Sequence, residues 1–376
     1  MLTQKVYSPT NLFLSKAISC FLYPYYLFFN LFRKSYLLEG LDVKVILVTE
    51  YHRIGDVIMI APALKAIKQK YPKSHLILLC NQQALELVRS LEMADEVISF
   101  QAPWTELPKI SSRGCLAFFS SIFMWVKLIS QSFKARSFAH LLRAKDIDLA
   151  IDFKGDIRNN WFLWHTNAKI RLGYTATGGS FFLSLPQRFD HTIHQTHRAN
   201  NLVQYIGCTP STNSPDNFIN KNGTIVIHVG ATDPRRGWPE NHWLELIRLL
   251  SVNNLVTIIK TQESEGLIRK LNPTLNNVEV FQGSLVNFHS WLTKQQILIA
   301  PDSMAGHLAA YSGISVVSLF GSQNPKLTSP LGKQVSIVTP DLPCSHNRYH
   351  WRLCESCMES ITPEKTFLKV TMLLSE

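Results

Sequence analysis

The amino-acid sequence predicts an α/β protein built as two successive doubly wound domains, and three observations predict it. From residue 42 onward, short apolar runs alternate with amphipathic segments. A polar stretch rich in turn-forming residues, CTPSTNSPDNFINKNG (208–223), interrupts that alternation, which then starts again. Strands separated by helices of about ten to fifteen residues are βαβ units, and such units build parallel sheets. At 376 residues the chain is long enough to bury two cores of ordinary size. Two such halves joined by a linker imply a cleft between them.

The elements follow in chain order. Residues 11–32, NLFLSKAISCFLYPYYLFFNLF, are apolar and aromatic enough in length to cross a bilayer. Lys16, Pro24 and the many aromatic rings instead fit a helix lying in the membrane interface, and RKSY follows it. No early basic region or small-residue cleavage site marks a signal peptide. KVILVTE (44–50) reads as a buried strand that leads into the helical DVIMIAPALKAIKQKYP. HLILLC (75–80) and DEVISF (95–100) are the next strands, with ALELVRSLEMA between them. LAFFSSIFMWVKLISQSF (116–133) fits equally a core helix or a second membrane-surface segment. DIDLAIDF (146–153) is a further strand. Beyond the linker come the strands TIVIHVG (224–230), LVTIIK (255–260), VEVF (278–281), ILIAPD (297–302) and SVVSLFG (315–321). Helices are expected at NHWLELIRLLSV (241–252) and GHLAAYSG (306–313).

Lysine and arginine exceed aspartate and glutamate by 38 − 27 = 11, so the chain is strongly basic. That balance calls for an anionic partner: a nucleic acid, an acidic lipid surface or a phosphorylated substrate. No nucleic-acid motif accompanies the charge, and no nucleic-acid partner is expected. Cys20, Cys80, Cys115 and Cys208 stand singly and read as reduced core residues. Cys344, Cys354 and Cys357 cluster near His346, but the second ligand pair of a strong zinc signal is missing, so no metal is expected.

Chemistry-bearing residues fall where strands end. In EYHRIGDVIMIAP (50–62), Asp56 follows Gly55 at a strand-to-helix turn. It reads either as a helix-start acceptor or as a catalytic carboxylate, since open α/β sheets place ligands beyond their strands' carboxyl ends. HVGATDPRRGWP (228–239) offers the Thr232 hydroxyl and a bidentate clamp from Arg235 or Arg236 to a phosphate; the alternative is a solvated loop anchored by Trp238. In APDSMAGHLAA (300–310), Asp302 and Ser303 open a helix whose free N–H groups suit an anion, with His307 in its first turn. IIKTQESEG (258–266) places Lys260, Glu263 and Glu265 after a strand, where a carboxylate can take ribose hydroxyls. LFGSQNPKLTSPLG (319–332) carries no nucleophile constellation and reads as a wall. There is no P-loop, no G-x-G-x-x-G, no G-x-S-x-G and no D-x-D pair. A diphosphate would be held by a helix N-terminus, hydroxyls and arginine, without a metal.

Six stretches, in order and spacing, resemble glycosyltransferase family 9, the heptosyltransferases that add heptose from an ADP-sugar to the lipopolysaccharide inner core. They are RIGDVIMIAPALKAIKQKYP (53–72), DLAIDFKGDIRNNW (148–161), AKIRLGY (168–174), GATDPRRGWPENHW (230–243), PDSMAGHLAAYSGISVVSLFGSQNP (301–325) and CESCMESITPEKTF (354–367). The resemblance implies a GT-B type fold of two Rossmann-like domains facing a central cleft. An apolar, membrane-associating extension over 1–40 precedes an acceptor domain over 41–210 and a nucleotide-sugar domain over 211–376. It also implies inversion at the anomeric carbon without metal or other cofactor. Asp56 matches the family's general base. Thr232, Arg235, Arg236, Lys260, Glu263, Asp302, Ser303, Met304 and His307 become candidates for donor binding, and Arg53, Lys154 and Arg158 for acceptor binding. Arg236 stands where the family usually has lysine, and Met304 where its D-[TS]-G-x-x-H motif has glycine. The expected partners are a nucleotide sugar, an anionic glycolipid acceptor and the cytoplasmic face of the inner membrane, held peripherally by a monomer. The alternatives are another activated sugar carried to a glycolipid, or a non-catalytic binding relative.

Overall fold

The first apolar runs become adjacent parallel strands in the computed structural model, which describes residues 9–105, 130, 132–211, 222–271, 277–341 and 354–375. The 116–133 segment lies almost wholly outside these residues, as do Cys344, His346 and most of the polar linker. Internal contacts divide the chain into two units: Pro9–Asp190 with Thr196–Pro210, and the residues from Ser211 onward with His191–Gln195.

The first unit begins with helix α1 (Pro9–Leu31) and continues through β1 (Val45–Thr49), α2 (Ile54–Met59), α3 (Ala61–Lys70), β2 (His75–Cys80), α4 (Leu85–Ser90) and β3 (Glu96–Ser99). Helix α5 (132–142), β4 (Leu149–Asp152), α6 (Ile157–His165), β5 (Ile170–Tyr174), β6 (Leu185–Gln187) and α7 (Gln195–Gln204) complete it. Its sheet has the order β3-β2-β1-β4-β5-β6, with every ladder parallel. Leu47 of β1 lies level with Ile77 on one side and Ala150 on the other. Covering both faces with helices explains why these strands read as unbroken apolar runs rather than alternating ones. Helix α3 carries Pro62 in its first turn, where no N–H is needed, and ends with Lys68 and Lys70, matching the polarity of its dipole. Phe100 stacks between Phe138 and Phe162 in the core, with ring centroids 4.7 and 4.9 Å apart.

The sequence reading did not assign β5 or β6. Arg171 breaks the apolar run of β5, yet it is buried, and its guanidinium donates to the Phe182 and Ala168 carbonyls, both at 2.7 Å. β6 is a three-residue edge strand containing Pro186, which only an edge tolerates.

The second unit runs β7 (Ile225–Ile227), α8 (Glu240–Ser251), β8 (Val256–Ile259), α9 (Glu265–Leu271), β9 (Val278–Phe281), α10 (Leu285–Leu292), β10 (Ile297–Pro301), α11 (Met304–Tyr311), β11 (Ser315–Leu319), α12 (Pro325–Thr328), β12 (Val335–Val338), α13 (Glu355–Glu359) and α14 (Pro363–Ser375). Its parallel sheet has the order β9-β8-β7-β10-β11-β12, so each unit repeats one pattern, 3-2-1-4-5-6. In each, the strand order reverses direction beside the first strand, between β1 and β4 or between β7 and β10. Such a switch point opens a crevice beyond the carboxyl ends of the strands. Both of the units' sites lie there.

Candidate functional site

In the first unit, β1 ends at Thr49 and the chain leaves the sheet through Glu50, Tyr51 and His52. Arg53 takes the extended N-cap position of α2, and Asp56 sits in that helix's first turn. The Asp56 carboxylate lies 2.9 Å from the Lys154 ammonium, which also stands 3.4 Å from Glu50 Oε2. Glu50 is wholly buried, and its other oxygen is 3.0 Å from His52 Nδ1. Lys154 therefore links a buried carboxylate to a rim carboxylate, Asp56, whose side chain keeps 17% of its exposure. Burial pulls the Lys154 pKa down, but Asp56 and Glu50 outweigh it and hold the ammonium above its ordinary value.

The turn after β4 positions that lysine. Gly155 has φ +72°, and a Cβ there would fall 2.7 Å from the Tyr174 Cβ, so only glycine fits. Asp152 Oδ2 accepts from the Lys154 and Gly155 N–H groups at 3.1 and 2.9 Å. Its Oδ1 accepts from Thr49 Oγ1 at 2.9 Å and Asn159 Nδ2 at 2.8 Å. Asn159 Oδ1 in turn accepts from the Tyr51 hydroxyl and the Trp104 indole, at 2.7 and 2.8 Å. Burial pushes Asp152 up to about 6 despite those donors.

Of the other candidates in this unit, Arg53 is exposed at the start of α2. Arg158, in the first turn of α6, holds the capping Asp156 in a fork: Nε to Oδ1 at 2.8 Å and Nη2 to Oδ2 at 2.6 Å.

In the second unit, β7 runs into His228, Val229 and Gly230, then a 3-10 turn over Pro234–Arg236 capped by Asp233. Arg235 grips Asp233 in the same fork, at 2.9 and 2.7 Å. Arg236 turns the other way, its Nη1 3.3 Å from Asp302 Oδ2 at the end of β10. Gln323, buried beyond β11, completes the triad. With its amide oxygen toward Arg236 it accepts from Nε at 3.1 Å and Nη2 at 2.7 Å, while its amide nitrogen donates to Asp302. Ser303 caps α11 in position, yet its hydroxyl makes no capping bond and has no partner among the described residues. Met304 opens α11 and His307 is buried within it. Helix α11 thus presents open N–H groups and a buried hydroxyl beside an arginine, the donor set of an anion site.

Thr232 and Glu263 line a cavity of 320 Å³ with Ala231, Trp238, Glu240 and Leu267. Trp238 is both wall and anchor: its indole donates to the Ile361 carbonyl at 2.8 Å, and its ring meets Trp243 edge-on at 4.8 Å. A Cβ on Gly230 would come within 3.0 Å of the His228 ring and 3.4 Å of Glu263, so the missing side chain keeps that wall open. Burial pushes His228 down to about 4, which leaves a neutral imidazole there at pH 7. Lys260 instead points to Gln282, 3.1 Å away in an exposed pair, and does not join these groups.

The structure therefore gathers Asp56 and Lys154 in one unit, and Arg236, Asp302 and Ser303 in the other. Glu50, His52, Asp152, Asn159 and Gln323 join them without having been singled out from sequence. Glu50, His52 and Asp152 stand at a strand's carboxyl end or within three positions of it, whereas Asn159 lies inside α6 and Gln323 four residues beyond β11. Among the described residues no three histidine, cysteine, aspartate or glutamate side chains gather as around a cation.

Comparisons with known proteins give the family and the fold. A family model for glycosyltransferase family 9 (heptosyltransferase) matches residues 135–355. Lipopolysaccharide heptosyltransferase 1 of Pseudomonas aeruginosa is 30% identical over 127 residues, which are 32% of this chain and 35% of that relative's length. Among solved structures, E. coli heptosyltransferase WaaC with ADP superposes with TM-score 0.65 at 18% identity, covering 88% of this chain and 99% of that one. E. coli ADP-heptose lps heptosyltransferase II gives 0.66 at 16% identity, covering 88% and 98%. At those identities the likeness establishes the fold.

Proposed function

We propose, for a chain that belongs to glycosyltransferase family 9 (heptosyltransferase), that it moves heptose from ADP-heptose to the inner core of lipopolysaccharide with inversion and without a metal. The observation that carries the reading is the rim carboxylate Asp56 held by Lys154 at a strand-to-helix turn. In the transfer an acceptor hydroxyl gives its proton to Asp56 while its oxygen bonds to the anomeric carbon. The bond from that carbon to the diphosphate oxygen breaks on the opposite face, which inverts the centre. When Asp56 takes the proton, Lys154 still has the buried Glu50 carboxyl 3.4 Å away, so the ammonium is not left without a partner. The departing diphosphate gathers negative charge, and the α11 N-terminus, the Ser303 hydroxyl, Thr232 and Arg236 are disposed to take it. Glu263 and the cavity beside Trp238 suit the nucleoside end.

Met304 supports a second reading. A long thioether at the start of α11, where the family motif has glycine, narrows the space beside the sugar diphosphate and favours a different activated sugar carried to a glycolipid. In either case the acceptor is lipid-anchored and the enzyme a peripheral monomer at the cytoplasmic face of the inner membrane. Among the described residues no helix is long and apolar enough to cross a membrane.

The test is ADP release from ADP-heptose with a truncated core acceptor. Asp56→Ala is expected to lower kcat by roughly 10²- to 10⁴-fold, the usual contribution of a positioned base. Equal rates for wild type and variant would remove Asp56 from the chemistry. Release from another nucleotide sugar but not from ADP-heptose would select the second reading.

A further inference from the structure

Helix α1 turns a mixed stripe inward and an aromatic one outward. Leu12, Ser15, Ser19, Leu22, Tyr26 and Asn30, with Arg33 just past its end, run three or four positions apart along one stripe and are its less exposed residues. Four of them, Ser19, Tyr26, Asn30 and Arg33, are tied to the rest of the first unit by polar contacts. Ser19 Oγ accepts from the Gly179 N–H at 3.0 Å, and the Tyr26 hydroxyl accepts from the Trp161 indole at 3.1 Å. Asn30 donates to the Phe181 carbonyl at 2.7 Å and accepts from the Trp164 indole at 3.0 Å. Arg33 donates to the Trp164 carbonyl at 2.7 Å and lies over that residue's ring, 4.0 Å from its centroid. The opposite stripe, Phe21, Tyr25, Phe28 and Phe32, faces out, with Phe21 82% and Phe32 75% exposed. More than half of the exposed large apolar side chains among the described residues lie between Phe13 and Leu37.

A helix packed on a water-soluble domain turns its apolar stripe inward. Here a second, aromatic stripe is left facing out, and an apolar patch of this extent marks an interaction surface. A spanning helix does not fit, since one face is bonded to the domain and Pro24 sits within it. Charge decides between the remaining occupants. No acidic residue occurs from Pro9 to Leu38, nor from 132 to 145, while exposed Lys16, Lys34, Lys134 and Arg136 flank the patch. The field of Arg136 on α5 is felt at both Tyr26 and His165, which places that cation beside α1. A second copy of this chain would bring the same cations against themselves.

We infer that α1 is a lipid-facing helix whose Phe21, Tyr25, Phe28 and Phe32 stripe beds into the headgroup–acyl boundary of an anionic leaflet, with Lys16, Lys34, Lys134 and Arg136 on lipid phosphates. This deepens the peripheral placement proposed above and rests on it, but not on which sugar is transferred.

The experiment is co-sedimentation of the full chain with vesicles of phosphatidylcholine alone and of an equimolar phosphatidylcholine–phosphatidylglycerol mixture. Wild type is expected to sediment with the mixture, more weakly at high salt, and little with the neutral lipid. The double variant Phe21→Ser/Phe28→Ser is expected to lose binding to the mixture by roughly tenfold or more, while keeping its melting temperature and its ADP release with a soluble, delipidated acceptor. Val252→Ser, an exposed apolar residue of the second unit, is expected to leave binding unchanged. Unchanged sedimentation of the double variant, or equal binding of wild type to both vesicles, overturns the inference. So does a wild-type dimer by light scattering that ignores vesicles and becomes monomeric in the double variant. Failure of ADP release by a wild type that still binds vesicles strikes the transferase reading alone.

Discussion

The two units share one strand order, yet the chain leaves their first strands in opposite chemical states. Beyond β1 come Glu50, Tyr51 and His52, a buried carboxylate, a buried phenol and an imidazole, locked to Lys154 and Asp56. Beyond β7 come His228, Val229 and Gly230, then small residues around an open cavity. The first exit is filled and internally bonded, suited to holding one carboxylate ready for a proton. The second is hollow, its cavity lined by Thr232, Trp238 and Glu263, and the anion-suited groups of its unit, the Ser303 hydroxyl and Arg236, stand at the neighbouring strand end. Topology decides where a site lies; the few residues after each strand decide what it does.

Substitutions can break or sharpen that contrast. The largest expected effect is on stability in the first unit. Lys154→Met strands the wholly buried Glu50 with only His52 beside it, and is expected to cost about 3–5 kcal/mol, as loss of one partner of a buried ion pair does. Chemical denaturation measures it; a cost below about 1 kcal/mol would mean that this exit is less tightly integrated than its geometry indicates. In the second unit Arg236→Ala is expected to act on ligand more than on fold, because Asp302 keeps Gln323 as a donor. Loss of a charge-assisted clamp costs about 1.5–3 kcal/mol, a weakening of ADP binding by roughly ten- to a hundredfold in calorimetry, with a smaller loss of stability than Lys154→Met gives. If Arg236→Ala lowers stability as much as Lys154→Met, the contrast collapses.

The smallest effect, taken per pH unit, concerns titration. His165, buried on α6 near Arg136, His140, Arg143 and Arg33, has its pKa pushed from 6.5 down to about 3 by burial and by those charges. The unfolded chain binds this proton more readily, so the group's stabilisation is full above pH 6.5 and declines as pH falls toward about 3. The slope is about 1 kcal/mol per pH unit at its steepest. His165→Gln is expected to flatten the stability profile between those limits; an unchanged profile would show that His165 does not carry it.

Most of the sheet framework was readable because buried parallel strands are nearly pure apolar runs: HLILLC is β2 residue for residue. Three strands escaped: Arg171 breaks the apolar run of β5, Pro186 sits in the edge strand β6, and β12 is a four-residue edge strand, VSIV, with Ser336 inside it. Asp56, Arg236 and Asp302 stood out because glycine and small residues announce strand-to-helix turns. Glu50 and Gln323 did not, because an isolated polar residue after a strand looks like any surface position until burial is known. Arg235 and Arg158 illustrate the converse. Sequence offers both as open cations, whereas each is already folded back on the aspartate two residues earlier. Lys260 likewise follows a strand, but its side chain runs to Gln282 at the surface.

Those two self-bound arginines carry a consequence of their own. In each, the backbone N–H and the guanidinium grasp a single capping carboxylate, Asp156 in one unit and Asp233 in the other. A visitor that would recruit either guanidinium must compete with an acid tethered at fixed short range, in effect a very high local concentration of rival. A singly charged bystander gains less there than it would from an open guanidinium, and an anion that engages several donors at once competes better, so the same pairing that stiffens each turn also weakens casual anion binding.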